Sequence, residues 1–158
     1  MDLPTTWTCD RCFMPIESVE DGWVEWLQIG DGQNYRAEKL HLVHDKSASP
    51  LKGSDWGCQY PRSTEFDDTG YTVANLPLDY FVGADGLMQL LRLWEEGLPQ
   101  TEVKEMIKRL HIPGYERARH YFKEAIAAGA FEPNTPLGYH YQYQIEATLR
   151  YVDERDKR

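Results

Sequence analysis

Trp7-Thr8-Cys9-Asp10-Arg11-Cys12 is the stretch on which the reading of this chain turns. Two residues between the thiols let both sulfurs face one ion at ~2.3 Å, with the intervening backbone amides pointing at them. The chain holds three cysteines, and an odd number does not suit a disulfide framework. Zinc needs four ligands, so the knuckle needs two more. Cys58 is the only other thiol. His44 is the fourth candidate, because it ends a strand-like run, Leu40–His44, where a side chain can reach out of a sheet. The pattern is Cys-x2-Cys, 31 residues, His44, 13 residues, Cys58. His41 is the rival ligand and ranks lower, since it shares a strand face with Val43. Asp45 or His41 is placed to hydrogen-bond the ligating imidazole. Two other readings compete: three free thiols with Cys58 buried, and a redox dithiol. The dithiol lacks the strand-to-helix surroundings that a thioredoxin-like motif needs.

Working outward, the first half reads as short strands and turns. Thr5–Thr8 is β-prone. Gly22–Gln28 carries Trp23, Val24, Trp26 and Leu27, residues that favour strands. Asp31-Gly32 is a tight-turn pair. Arg36–His44 reads as a returning strand, with Leu40 and Leu42 on one face and His41 and Val43 on the other. So small a sheet is marginal alone, which gives a metal staple a reason to exist.

A polar stretch from Tyr60 to Asn75, with Pro61, Asp67, Asp68 and Gly70, reads as a connector. Helical periodicity follows. Leu87, Leu90, Leu91 and Trp94 form one face, with Asp85 as N-cap and Gly97 past the end. Val103, Met106, Ile107 and Leu110 form a second, with Thr101 as cap. Tyr115, Ala118, Phe122, Ala125 and Ile126 line a third helix, closed by Gly129. Asn134-Thr135-Pro136 starts a fourth, with Leu137, Tyr141, Ile145, Leu149 and Val152 inward. Asp153–Arg158 reads as a charged, frayed tail. The fold class expected is α+β: a small zinc-stapled antiparallel β unit at 1–60, a connecting segment at 61–82, and a four-helix half at 83–158.

Composition narrows the function. The 158 residues carry 26 acidic and 17 basic side chains, a net charge of −9. That argues against a protein that coats nucleic acid or a membrane surface. Hydrophobic residues at 41% and aromatics at 13% exclude a disordered chain. No apolar run approaches the ~18 residues of a membrane span, and the start, Met-Asp-Leu-Pro, has no leader-like pattern. A soluble, cytoplasmic protein is expected. Charge is uneven: residues 1–82 hold 14 acids and 6 bases, and residues 83–158 hold 12 and 11.

Trp7–Cys12, Gly22-Trp23-Val24-Glu25-Trp26, a strand ending in His44, and Cys58-Gln59-Tyr60 together resemble zinc-ribbon-type modules. The same start joined to a helical second half resembles small uncharacterised bacterial proteins. The second ligand pair departs from the ribbon pattern, because His44 and Cys58 do not form another knuckle. Leu40–Asp45 faintly resembles the His-bearing strand of HNH-type nucleases. That family needs a further Asn and His on a following helix, and between Asp45 and Tyr80 there is only Asn75 and no His.

Residues 101–128 resemble a helix-turn-helix: Glu102–Leu110, the turn His111–Gly114, then Tyr115–Ala128. Arg117, Arg119 and Lys123 would face nucleic acid from the second helix, with Lys104, Lys108 and Arg109 on the first. Glu116 and Glu124 oppose them, and an ordinary helical hairpin with solvated charges is the plainer reading. Glu116, His120 and Glu124 share a helical face, more simply as solvated charges than as a metal set. No phosphate loop, no Gly-x-Ser-x-Gly and no His-Glu-x-x-His is present, and no catalytic set assembles. The leading expectation is a non-enzymatic binding or regulatory protein with a structural Zn2+ and a protein partner, since exposed tryptophans on an acidic half would suit an interface. A DNA-binding regulator is the alternative, and a metal-dependent nuclease or hydrolase a third.

Overall fold

The computed structural model describes residues 1–30, 32–53, 55–62 and 70–158. Among the described residues five strands are seen: Trp7–Thr8 (β1), Pro15–Ile16 (β2), Gly22–Ile29 (β3), Arg36–His44 (β4) and Tyr71–Pro77 (β5). Five α-helices follow: Gly83–Glu95 (α1), Gln100–His111 (α2), Tyr115–Ala118 (α3), Phe122–Ala127 (α4) and Gln142–Asp156 (α5). The class is α+β, as expected. β1 and β2 form a small antiparallel ribbon, and β3 is the centre of an antiparallel sheet ordered β4-β3-β5. No helix among the described residues is long and apolar enough to cross a membrane.

The chain divides into two compact units, Thr5–His111 and Met1–Pro4 with Ile112–Arg158. This differs from the 1–60 and 83–158 division expected from sequence. α1 and α2 belong with the sheet, because a three-stranded sheet has a face to bury and these helices supply the cover. The segment 61–82 is not connector throughout. Within it β5 pairs with β3 from Tyr71↔Ile29 to Pro77↔Trp23. Its Pro77 is tolerated because β5 is an edge strand and Pro77 ends it. Asp67 and Asp68 lie outside the described residues, as does Asp31 of the expected turn. A 3-10 turn at Gly32–Asn34 precedes the returning strand.

In the first unit, Val24, Trp26 and Leu42 pack with Leu78 and Phe81 against Leu90 and Leu93 of α1 and Val103, Met106 and Leu110 of α2. Trp26 meets Phe81 edge-to-face, centroids 6.4 Å apart. Trp7 is buried too, and Trp23 and Trp94 pack part-buried on this core, so these tryptophans serve the interior and are not an exposed interface. The inward edge of α1 runs Gly86–Leu90–Leu93, and Leu91 is 41% exposed. The expected face was therefore rotated by one step. Gly86 decides this: a Cβ there would stand 2.0 Å from the Phe81 carbonyl carbon, so only glycine lets the helix lie so close. Asp85 falls inside the first turn, behind Val82 as N-cap. Thr101 likewise lies within α2, where the Pro99 carbonyl accepts from Val103 N–H at 3.1 Å.

In the second unit, Tyr115, Ala118, Phe122 and Ile145 form the core, with Ile112, Phe131 and Leu149 packed on it. The third helix expected at Tyr115–Ala128 is two short helices, interrupted at Arg119–Tyr121, where Tyr121 N–H bonds back three residues to the Ala118 carbonyl at 2.8 Å. The run His120-Tyr121-Phe122 gives little intrinsic support to a continuous helix. The last helix starts at Gln142 and not at Pro136. Gly138 has φ 90, which no right-handed helix contains. The Tyr141 amide, at the N-cap, donates to Gln144 Oε1 at 2.8 Å. Leu137 and Tyr141 are consequently exposed. The charged tail is helical to Asp156, where Arg155 reaches Glu124 at 2.8 Å and Arg117 pairs with Asp153.

Gly86→Ala forces a methyl into backbone, a form of overpacking that costs about 1–3 kcal/mol or more. Chemical denaturation should show at least that loss. Gly32→Ala meets no atom within 4 Å, though its φ of 52 disfavours a side chain, and should lose only about 1 kcal/mol.

Candidate metal centre

The knuckle is built on the β1–β2 ribbon. Cys9 N–H donates to the Met14 carbonyl and Phe13 N–H to the Cys9 carbonyl, both at 3.0 Å, closing the loop around the two thiols. Arg11 N–H points at Cys9 Sγ at 3.4 Å. The tight return puts Phe13 at φ 65, the left-handed region that disfavours a side chain. The second pair of groups comes from β4 and the loop beyond it. The Cys9, Cys12 and Cys58 sulfurs and a ring nitrogen of His44 all lie within 4.8 Å of one another. Cys9, His44 and Cys58 are buried and Cys12 is partly exposed. In a tetrahedral site with ~2.3 Å bonds, neighbouring sulfurs stand about 3.8 Å apart. Closing these four groups onto an ion therefore takes shifts of about 1 Å or less. The cluster is one that can hold a metal ion.

The imidazole is oriented for that task. His44 Nε2 lies 2.8 Å from the Pro15 carbonyl, which can only accept, so Nε2 carries the proton. Nδ1 is then the free lone pair, and it faces Cys12 Sγ at 3.4 Å and Cys58 Sγ at 3.8 Å. A carbonyl that fixes the tautomer and ring angle is the usual support of a metal-bound histidine. Ser49 does the same for a sulfur. Its hydroxyl accepts from Leu51 N–H at 3.1 Å and lies within hydrogen-bond distance of Cys58 Sγ, at 3.1 Å. Burial pushes the Cys58 thiol up to about 12, against the lowering effect of Ser49 and with a further rise from Cys9 and Cys12. A cation would reverse that balance by stabilising the thiolate directly.

All four sequence-nominated ligands thus converge, and His41 does not join them. His41 points its Nε2 at Glu25 Oε1, 3.0 Å away, and its ring stacks on Tyr60 at 3.8 Å. Asp45 also stays apart from the imidazole; its carboxylate caps the next turn by accepting from Ser47 N–H at 3.3 Å.

Glu25 was not singled out by sequence. It is fully buried, and its carboxylate also accepts from Tyr60 N–H at 2.7 Å and Arg62 Nη2 at 3.0 Å. It thereby pins the chain two residues after Cys58. Burial, reinforced by the Glu25 charge, raises the Tyr60 hydroxyl pKa. The signal was present in Trp23-Val24-Glu25-Trp26-Leu27: an acid set among large apolar residues of a strand needs buried partners.

The nucleic-acid residues fare differently. Arg117 is paired with Asp153, and Arg119 lies against His120 at 3.3 Å. Lys123 is exposed. Arg109 is taken inside, bound to Asp10 at 2.9 Å. α2 belongs to the first unit and α3 and α4 to the second. No protein family, curated protein or solved structure matches the chain.

Metal binding requires three thiols to become thiolates, so uptake should release protons and weaken between about pH 8 and pH 6. Titrating zinc into metal-free protein with a pH indicator measures the first, and chelator competition the second. Cys9→Ser and His44→Ala should lose the ion, and His41→Ala should keep it.

Proposed function

We propose that the chain is a non-enzymatic binding or regulatory protein whose N-terminal part is held by a structural zinc ion on Cys9, Cys12, His44 and Cys58, and that its partner is another protein. The observation that carries this reading is the orientation of His44, with one nitrogen committed to Pro15 and the other aimed at the sulfurs. Three thiolates and an imidazole are a soft, tetrahedral set of the kind zinc takes, and hard cations such as Mg2+ and Ca2+ prefer oxygen. Four protein ligands leave no open position for water or substrate, which supports a structural role over a hydrolytic or nuclease one. The knuckle between β1 and β2 supports the likeness to zinc ribbons, with the second pair supplied by β4 and the loop at Cys58 in place of another knuckle.

A protein partner is supported by the tip of the knuckle. Phe13 is 75% exposed and Met14 54%. Phe13 is also held in a conformation that costs a side chain about 1–2 kcal/mol. An exposed aromatic that is both strained and unpacked contributes nothing to this fold that glycine would not. A DNA-binding role at 101–128 has less support, because Arg109 is buried, Arg117 is paired and the second helix is broken.

Protein purified without chelator should contain one zinc per chain by elemental analysis. X-ray absorption should find about three sulfurs at ~2.3 Å and one nitrogen at ~2.0 Å, with no bound water. A water in the first coordination sphere would favour the hydrolase reading instead. For nucleic acid, no retention of duplex DNA is expected at ~50 mM salt. Binding that then fell by decades towards ~200 mM would move the assignment to the DNA reader.

A further inference from the structure

We propose that Asp10 and Arg109 are positioning residues of the metal centre, and that through them the ion fixes the seat of helix α2. The inference rests on the metal reading above and concerns residues that supply none of the four candidate ligand atoms. Asp10 lies between the two knuckle cysteines. Its backbone N–H donates to the Leu42 carbonyl at 2.8 Å, and its Oδ2 accepts from Leu42 N–H at 2.8 Å. The knuckle is thus fastened to β4 two residues before His44.

The same carboxylate receives Arg109. Nη1 stands 2.9 Å from both Asp10 oxygens, and Nη2 donates to the Thr8 carbonyl at 2.9 Å. Thr8 and Asp10 are the neighbours of Cys9 on either side, so one planar guanidinium brackets that ligand. Arg109 is only 2% exposed. A buried guanidinium is costly unless paired and hydrogen-bonded, and a planar fork meets a carboxylate and a carbonyl together as an ammonium cannot. Through Asp10 and Leu42, the Arg109 contact sets Cys9 relative to His44, two ligands 35 positions apart in the chain. Linkage then runs both ways: an ion that holds Cys9 and His44 together holds the pocket for Arg109, and a seated Arg109 raises affinity for the ion.

The test measures zinc affinity by chelator competition and the visible spectrum of the Co2+-substituted protein. Arg109→Met, which keeps length and removes the charge, should weaken zinc by about 10–100-fold and alter the cobalt ligand-field bands. Arg109→Lys should recover part of the affinity. Asp10→Asn, which keeps an acceptor for Leu42 N–H and drops the charge, should fall between, and it serves if Arg109→Met does not fold. Leu90→Ala, a core change in α1, lowers stability but should leave the affinity of folded protein and its cobalt spectrum as in the wild type. Wild-type affinity and spectrum in Arg109→Met and Asp10→Asn would overturn the proposal and spare the metal reading, as would an equal loss in Leu90→Ala. Wild-type protein that takes up neither zinc nor cobalt would overturn both.

Discussion

The hydrogen bond from His44 Nε2 to the Pro15 carbonyl, 2.8 Å long, is the constraint on which the first unit turns. It joins the end of β4 to β2, the strand that leaves the knuckle. Without it the imidazole could rotate or exchange tautomers, and Nδ1 would have no fixed relation to the sulfurs. With it, the ribbon, the sheet and the loop carrying Cys58 share one meeting point. The buried Cys58 thiol resists ionisation, and a cation held at this point would stabilise its thiolate.

Around that point the chain uses buried and half-buried polar groups as ties. Asp10 holds the knuckle to β4 and α2, Glu25 holds the loop after Cys58 to the sheet, and Ser49 holds the Cys58 sulfur. Asp10 and Glu25 draw their partners from distant segments, and Ser49 draws its own from Leu51 and Cys58 close by in the chain. Such groups contribute little net stability and are expensive to leave unmatched, so they specify one arrangement more than they strengthen it.

The strands β3 and β4 were legible from side-chain alternation, and the four residues that cluster, Cys9, Cys12, His44 and Cys58, from residue chemistry. His44 was preferred over His41 by strand face, and the structure parts the two accordingly. What was missed has physical reasons. β5 reads as connector because Gly70 precedes it, Pro77 ends it, and its partner among the described residues, β3, lies some fifty residues earlier. The face of α1 is set by the contact of Gly86 with Phe81, and no periodicity records a side chain that is absent. Gly138 delays the last helix past a proline that suggests an earlier start. Arg109 shows the limit most plainly. On a helix near other bases it reads as part of a solvated or DNA-facing stripe, and only the distant Asp10 reveals it as an interior group.

β4 is an edge strand, and an edge normally offers unpaired amides and carbonyls to any other chain that can lie beside it. Here carboxylates stand where another strand would be: Asp10 takes the Leu42 amide, Glu102 takes the Leu40 amide at 2.7 Å, and the Asp10 amide occupies the Leu42 carbonyl. The two contacts made by Asp10 belong to the Cys9–Cys12 knuckle. If the proposed zinc holds that knuckle, stripping it would do more than loosen a loop. It would bare a length of β-ladder to solvent, and the metal-free chain would be exposed to self-association through that edge before its helices had melted.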